Sequence, residues 1–433
     1  MATIAPPAED SSPTLFQRWY VLFVMMLVYT ISIADRYVMS TVLEPIRVEL
    51  KLSDGGVAFL TGVSLALFYV TMGIPLSWIA DRHNRRNLLA VSIAVWSVMT
   101  TLCGFAANYT HLLLARIGVG IGEAGGTPPC NTIVADYFPP DRRAMAMTIF
   151  ALGAPIGAWL GADLAGWVAH DHGWRAAFYV LGIPGVLLAL LIMVTIKEPP
   201  RGRYDAPDPE PAPSVIEVLR YLWSQKAAVH AMMGAGLSAL WGWGLMWFTP
   251  AYIERSFNLG VGAGGGVLAP IYLYGGIGAS LVTAWLFARP AYKDPRKILR
   301  VLGVVTAIST VPSILAYYTH SLETAKLMWW LFIPAIYFYI GPAMALSQNF
   351  APAKMRAMFI AVSLLIANVF NLIVAPQAVG WMSDWFAGGG EPSAESLRLA
   401  LLVLAPTGFW AAFHYFWAER YAIADQARVT GNV

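Results

Sequence analysis

The chain has 433 residues, of which 58% are hydrophobic and only 12% charged, with a formal net charge of +3. Soluble domains carry about 25% charged residues, so this chain cannot clothe a globular surface of its size and reads as an integral membrane protein. The small net charge gives no nucleic-acid footprint. Cys103 and Cys130 both lie in apolar runs, which excludes a disulfide framework or a metal-ligand spacing.

Residues 1–16 are polar, contain prolines and lack a basic start. They are expected to be a cytoplasmic tail rather than a cleaved signal peptide. Twelve apolar segments follow, at 17–43, 55–80, 87–107, 111–136, 143–168, 175–196, 227–253, 263–289, 297–319, 325–348, 354–384 and 396–419. Each has the roughly 20 residues that cross a 30 Å hydrocarbon core as a helix. They are apolar nearly all round, not on one face, and inside lipid only a helix satisfies its own backbone here. The expected fold class is an all-α membrane protein of twelve transmembrane helices.

The polar stretch 197–226, with KEPPRGRYDAPDPEPAPS at its start, is too rich in proline and charge to pack. It divides the chain into six-helix bundles at 17–196 and 227–420, with a second tail at 421–433. Within it, Ser214–Ser224 has helical periodicity and suits a membrane surface. The bundles show short internal repetition: Phe138–Met145 resembles Phe350–Met358, and Gly166-Trp167 recurs as Gly380-Trp381. Two related six-helix halves are the pattern of an alternating-access transporter. Lys and Arg concentrate in the even-numbered connections, among them Arg82, Arg85, Arg86, Arg142, Arg143, Lys293, Arg296, Lys297, Lys354 and Arg356. By the positive-inside rule both termini are cytoplasmic, and the expected location is a bacterial inner membrane.

The first segment is interrupted by Asp35-Arg36. One charge at membrane mid-depth costs about 2.5–3.5 kcal/mol on insertion scales, so two adjacent charges need partners. The fourth segment offers Arg116 and Glu123, seven apart and therefore on one helix face, among glycines at 118, 120, 122, 125 and 126 that admit close neighbours. The four charges cancel, which suits a resting site inside a membrane. If an acid takes a proton, an arginine is freed for an anion. Asp35 is expected as the main proton carrier and Glu123 as the second, with Arg36 and Arg116 gripping substrate. The competing expectation is a structural ion-pair network that orients the first and fourth segments.

After the second segment comes Ser77-Trp78-Ile79-Ala80-Asp81-Arg82-His83-Asn84-Arg85-Arg86. This resembles the signature loop of the major facilitator superfamily, apart from Ser77 and Asn84, where that family commonly has Gly. The resemblance implies a conformational latch built from Asp81, Arg82, Arg85 and Arg86, joined by Arg142 and Arg143 before the fifth segment. The matching loop of the second half, Ala288–Arg296, lacks the acid, so the latch is expected to be asymmetric. IADRYVMS in the first segment, the Arg116–Glu123 spacing, and ADYFPPDRRAMAMTIF together resemble the Spinster-type branch. That resemblance implies a proton-coupled transporter, with Asp35, Arg36, Arg116 and Glu123 at its centre and lipid-like anions among its substrates.

Gly153-x-Pro155-x-Gly157-x3-Gly161 in the fifth segment is similar to an antiporter motif and equally fits small-residue packing. It leaves symport and antiport open. In the second half, Trp243, Trp247 and Tyr337 form a candidate aromatic wall, and with Tyr37 they would suit an organic anion with an apolar body. Core packing is the bland alternative. Asn368 and Asn371 could complete the site, or could bridge helices. Trp329, Trp330 and Tyr252 suit an interfacial belt.

No nucleophile with a base, metal set or phosphate cradle is visible, so no enzyme, no cofactor, no catalytic residue and no metal are expected. A receptor or scaffold would not need four charges at mid-depth. Partners are expected to be protons, the lipid bilayer and either a small organic anion or a lysolipid, with the protein a monomer. The Asp-Gly-x-Asp pattern of aromatic-acid symporters is missing at Asp35–Val38.

Overall fold

The computed structural model describes residues 13–204 and 213–430, and within them all regular structure is helical. Ten stretches there are long and apolar enough to cross a membrane: α1 (Leu15–Thr41), α2 (Asp54–Ala80), α3 (Arg85–Cys103), α5 (Pro140–His172), α6 (Trp174–Thr195), α8 (Ala263–Phe287), α9 (Pro295–Tyr318), α10 (Leu322–Asn349), α11 (Met358–Phe386) and α12 (Ala394–Glu419). Two more helices hold the expected fourth and seventh places. The fourth, α4, is broken into Tyr109–Glu123 and Thr127–Tyr137, and α7 runs unbroken over Lys226–Ser256. The apolar pattern alone suggests a continuous α4. The break falls at Ala124-Gly125-Gly126, where glycines meet a Thr127-Pro128-Pro129 start that cannot continue a helix inward.

Side-chain caps set the ends. Thr14 and Ser393 form capping boxes with Gln17 and Ser396, while Asn84, Asn108 and Asp294 accept from the first free N–H groups of α3, α4 and α9. Residues 205–212 of the expected linker lie outside the described part. The linker helix Val215–Ser224 packs on α7 and α11 through buried Val218 and Leu222 and leaves Ile216 and Trp223 exposed.

Packing repeats between halves. α1 packs on α5, α3 on α6 and α2 on α4; in the second half α7 packs on α11, α9 on α12 and α8 on α10. Across the seam α2 meets α11, α5 meets α8 and α1 meets α7. Among the described residues, four helices carry a π-helical turn: Phe59–Val63 in α2, Leu160–Leu164 in α5, Ile271–Gly275 in α8 and Val369–Val374 in α11. These are the four helices that pair as α2 with α11 and α5 with α8.

Those pairings are backbone-close. A Cβ at Gly62 would lie 2.1 Å from the Leu372 carbonyl oxygen. Gly262, at φ +80, stands where a Cβ would meet the Gly166 oxygen at 2.1 Å. Only glycine satisfies both the turn and the approach.

The expected aromatic belt needs correction. Trp330 is 41% exposed, but Trp329 and Tyr252 are buried, with ring centroids 6.5 Å apart. Segments apolar all round give no signal for which aromatic faces lipid and which the core. The two cysteines are free and buried, as expected.

Candidate functional site: a charged pair of pairs facing an aromatic layer

Successive residues on a helix point about 100° apart, and α1 uses this to split Asp35 from Arg36. Asp35 turns into the first half. It accepts from Arg116 Nη1 at 3.3 Å and from the Thr100 hydroxyl in a short contact, and the Asp35 and Arg116 side chains are 2% and 1% exposed. Arg116 Nε also reaches the Leu60 carbonyl at 3.5 Å. Arg36 turns toward Glu123 instead. Its Nη2 and Nε donate to Glu123 Oε2 at 2.8 and 3.0 Å, and Ser32 Oγ donates to Oε1 at 3.2 Å. The guanidinium lies 5.2 Å from the Tyr69 ring centroid. Arg36 is 16% exposed against 1% for Glu123, so it is the most open of the four charges.

All four charged residues are therefore brought together on α1 and α4 as two ion pairs, Asp35–Arg116 behind and Arg36–Glu123 in front. The Gly120 and Gly122 positions make this possible. Cβ atoms there would stand 2.4 Å from the Leu65 oxygen and 2.6 Å from the Trp96 nitrogen, so α2 and α3 close directly on α4. A small cavity lined by Tyr29, Ser32, Trp96, Thr127 and Cys130 opens beside Ser32, and the buried Trp96 Nε1 has no hydrogen-bond partner among the described residues.

One residue beyond Arg36, Tyr37 is the centre of an aromatic layer at the seam. Its ring centroid lies 6.3 Å from Trp243, 5.6 Å from Trp247 and 5.0 Å from Tyr272, and Trp243 lies 5.7 Å from Tyr337. Asn371 joins the layer by accepting from Trp247 Nε1 at 2.9 Å. Asn368, three residues earlier, is half-buried and makes no side-chain hydrogen bond among the described residues. Tyr337 is placed by the interruption of α10 at Tyr339. Sequence reasoning omits Tyr272 from the wall; its place in the π-turn of α8 turns it toward Tyr37, and nothing local in the sequence announces that turn.

The basic residues after α2 bind within their own half. Arg85 holds Asp136 at the end of α4 at 2.6 Å and Glu198 at 2.8 Å, and Arg86 donates to the Met193 and Ile196 carbonyls. Arg143 donates to the Ala135 and Phe138 carbonyls. Arg82 lies 4.3 Å over the Trp78 ring, and the exposed Arg142 is 3.8 Å from Asp141. The Asp81 side chain lies outside the described part. The resemblance implies a latch between halves, whereas these Arg85 and Arg86 bonds tie α3 to α4, the end of α6 and the start of the linker.

Among the described residues a cluster of side-chain bonds crosses the seam at the opposite end, and the sequence does not reveal it. Arg255, closing α7, donates to both Asp54 oxygens at 2.8 and 2.7 Å and to Glu44 at 2.6 Å. Ser383 on α11 donates to Asp54 at 2.6 Å, and Asp384 accepts from the Asp54 and Gly55 N–H groups at 2.9 Å each. Gln377 reaches the Gly55 carbonyl. Asp54 is fully buried. The available signal is an acid opening α2 and a base closing α7, but Glu44, Arg47, Glu49 and Lys51 lie in the same outer connection as Asp54 and mask it.

The family model of the Major Facilitator Superfamily matches residues 25–375. A crystal structure of a bacterial homolog of the human lysosomal transporter Spinster, inward-facing and unoccupied, superposes with a TM-score of 0.85 at 31% identity, covering 95% of this chain and 99% of that one. The probable galactarate/D-glucarate transporter of Bacillus subtilis is 31% identical over 46% of this chain and 44% of its own length. The sphingosine-1-phosphate transporter of Danio rerio is 34% identical over 40% of this chain and 35% of its own length.

Proposed function

The chain belongs to the Major Facilitator Superfamily, among its Spinster-like transporters, and from that premise we propose that it moves an organic anion across the bacterial inner membrane by alternating access, coupled to protons. The observation that carries this reading is the Arg36–Glu123 pair: the most exposed central cation is held by a carboxylate that can take a proton. Protonating Glu123 removes the partner and leaves Arg36 to bind an anion; the anion's departure restores the pair. The Glu123 carboxylate and the substrate anion thereby compete for one guanidinium, so proton and substrate bind together, which links their movements. Glu123 is the first proton acceptor in this scheme and Asp35 the second, the reverse of their expected order. Glu123 holds the open arginine, whereas Asp35 is buried with Arg116.

The far-end bonds support a cytoplasm-facing conformer, with the seam closed at Asp54 and Arg255 toward the outside. Similarity to an inward-facing relative supports the same orientation. Arg85, Arg86 and Arg143 then lie at the cytoplasmic mouth, brace the first half in this conformer and exchange partners when the mouth closes. Two substrate classes compete in the relatives' names, a sugar diacid and a sphingoid phosphate; both carry an anion for Arg36.

The test is proton-gradient-driven uptake in proteoliposomes. Wild type should accumulate the anion only with a pH gradient, Glu123→Gln should exchange but not accumulate, and Arg36→Ala should do neither. Uphill transport by Glu123→Gln and Asp35→Asn alike would defeat the proton scheme. Anion transport by Arg36→Ala would defeat the binding scheme.

A further inference from the structure

Three phenols in the seam layer are buried with their bonding capacity unused. Tyr37, Tyr272 and Tyr337 are 3%, 1% and 5% exposed, and none of their hydroxyls completes a hydrogen bond among the described residues. They come from three helices, α1, α8 and α10, and the Tyr272 ring centroid lies 5.0 Å from that of Tyr37. The Tyr37 and Tyr337 hydroxyls approach one another, but not in hydrogen-bonding geometry. Two other buried phenols of the second half are paired. Tyr317 pairs with Thr249 at 2.7 Å and Tyr415 with Ser238 at 3.3 Å. Native interiors pair nearly every buried hydroxyl, and three unpaired ones in a single layer, next to the open arginine, call for a ligand atom.

We infer that Tyr37, Tyr272 and Tyr337 form a second subsite that hydrogen-bonds uncharged oxygens on the substrate body, so that the protein takes hydroxylated organic acids in preference to plain ones. This rests on the proposed anion site at Arg36. Tyr37 is the residue after Arg36, so one short substrate can reach both. The layer holds rings and an amide, Trp243, Trp247 and Asn371, and no ionic side chain among the described residues. Hydroxyl or carbonyl oxygens would find O–H donors there. Trp247 is not available as a donor, because its N–H is taken by Asn371. The rings supply flat surface for the carbon chain between oxygens. Binding sites that hydrogen-bond a substrate hydroxyl reject analogues lacking it, because the site's own polar groups are then left unpaired.

The experiment compares galactarate with adipate, which has the same six-carbon diacid chain without hydroxyls, by binding to purified wild type and to Tyr37→Phe, Tyr272→Phe and Tyr337→Phe. Phenylalanine keeps the ring and deletes only the hydroxyl, and unchanged melting of the ligand-free variants confirms that they fold. Wild type should prefer galactarate by at least about tenfold, and each variant should lose about three- to tenfold of that preference with adipate affinity unchanged. Equal binding of the two acids by wild type, binding of neither, or a preference that survives in all three variants overturns the subsite. Equal loss of both acids in the Phe variants also overturns it, since that marks a packing role. Arg36→Ala separates the two layers of argument. If it still binds both acids, the anion site itself is wrong whatever the tyrosines do. If wild type binds lysophosphatidic acid through Arg36 and neither diacid, the anion site stands and the hydroxyl subsite falls.

Discussion

In the first half, α1 and α4 carry Asp35, Arg36, Arg116 and Glu123; six helices later, α7 and α10 occupy the same places in the packing and carry Trp243, Trp247 and Tyr337. The frame is duplicated and the side chains are divided. One half holds charge in paired, hydrogen-bonded form, where each group must be satisfied. The other presents rings, whose packing tolerates a change of neighbour. A substrate bound at the seam as proposed would touch both, so that the first half would set its charge requirement and the second its shape and polarity.

The strongest way to break this division is on the charged side. Arg36→Ala should reduce anion affinity about 30-fold or more, since losing one member of a desolvated charge pair costs about 2–5 kcal/mol. Arg36→Lys should recover little, because an ammonium cannot reproduce the two-nitrogen grip on one carboxylate. Binding by isothermal calorimetry at fixed pH measures both. Next, Arg116→Ala strands Asp35 at 2% exposure and should cost about 3–5 kcal/mol of stability. Asp35→Asn in the same chain should return much of that loss. Thermal unfolding in detergent of the two single variants and the double variant gives the coupling. An additive pair would mean that the buried bridge is not a unit.

Sharpening the comparison needs the seam itself. Arg255→Ala removes the bonds to Asp54 and Glu44 that hold α7 to the start of α2. Thiol labelling from the outer side at Ser40→Cys, a buried position near the end of α1 whose native hydroxyl donates to the Trp247 carbonyl at 2.7 Å, should speed up several-fold as the outer end opens. The melting temperature should fall, because the fully buried Asp54 loses its closest cation. An unchanged rate would mean that Asp384, Ser383 and Gln377 suffice to keep the seam shut.

The smallest effect lies outside the membrane. Glu49 accepts from Trp174 Nε1 at 2.7 Å and pairs with Arg175, and the indole bond, with the arginine behind it, holds its carboxyl below the ordinary value of 4.5. A carboxyl lowered on folding adds stability that is complete above about pH 4.5 and is lost as the pH falls through the lower folded value. Glu49→Gln should therefore flatten the acid limb of the stability profile slightly and leave pH 7 transport intact. Melting temperature against pH between 3 and 6 shows it.

Much of this could be read from residue order, because the membrane restricts the choices. Apolar runs set the helices, and the cost of Asp35 and Arg36 at mid-depth pointed to Arg116 and Glu123. How the four pair could not be read, since it depends on the 100° offset within α1 being met by Arg116 and Glu123 two turns apart on α4, with Thr100 of α3 behind Asp35. The seam lock around Asp54 was hidden because charges at helix ends look alike whether they face water or a partner helix. The π-turns were hidden for a deeper reason: they are a response to packing across the seam, and segments such as Ile271–Gly275 carry no residue that demands one.

Those π-turns have a mechanical consequence. Each one accommodates an additional residue by an i to i+5 bond, and such a surplus can be handed along the helix without breaking it elsewhere. Handing it on by a few positions rotates every side chain it passes by about 100°. Tyr272 lies within one such turn and Asn371 within another. Transport could thus turn individual side chains like cams while the bundles rock as bodies, so that ring and amide leave the substrate without either half having to unfold.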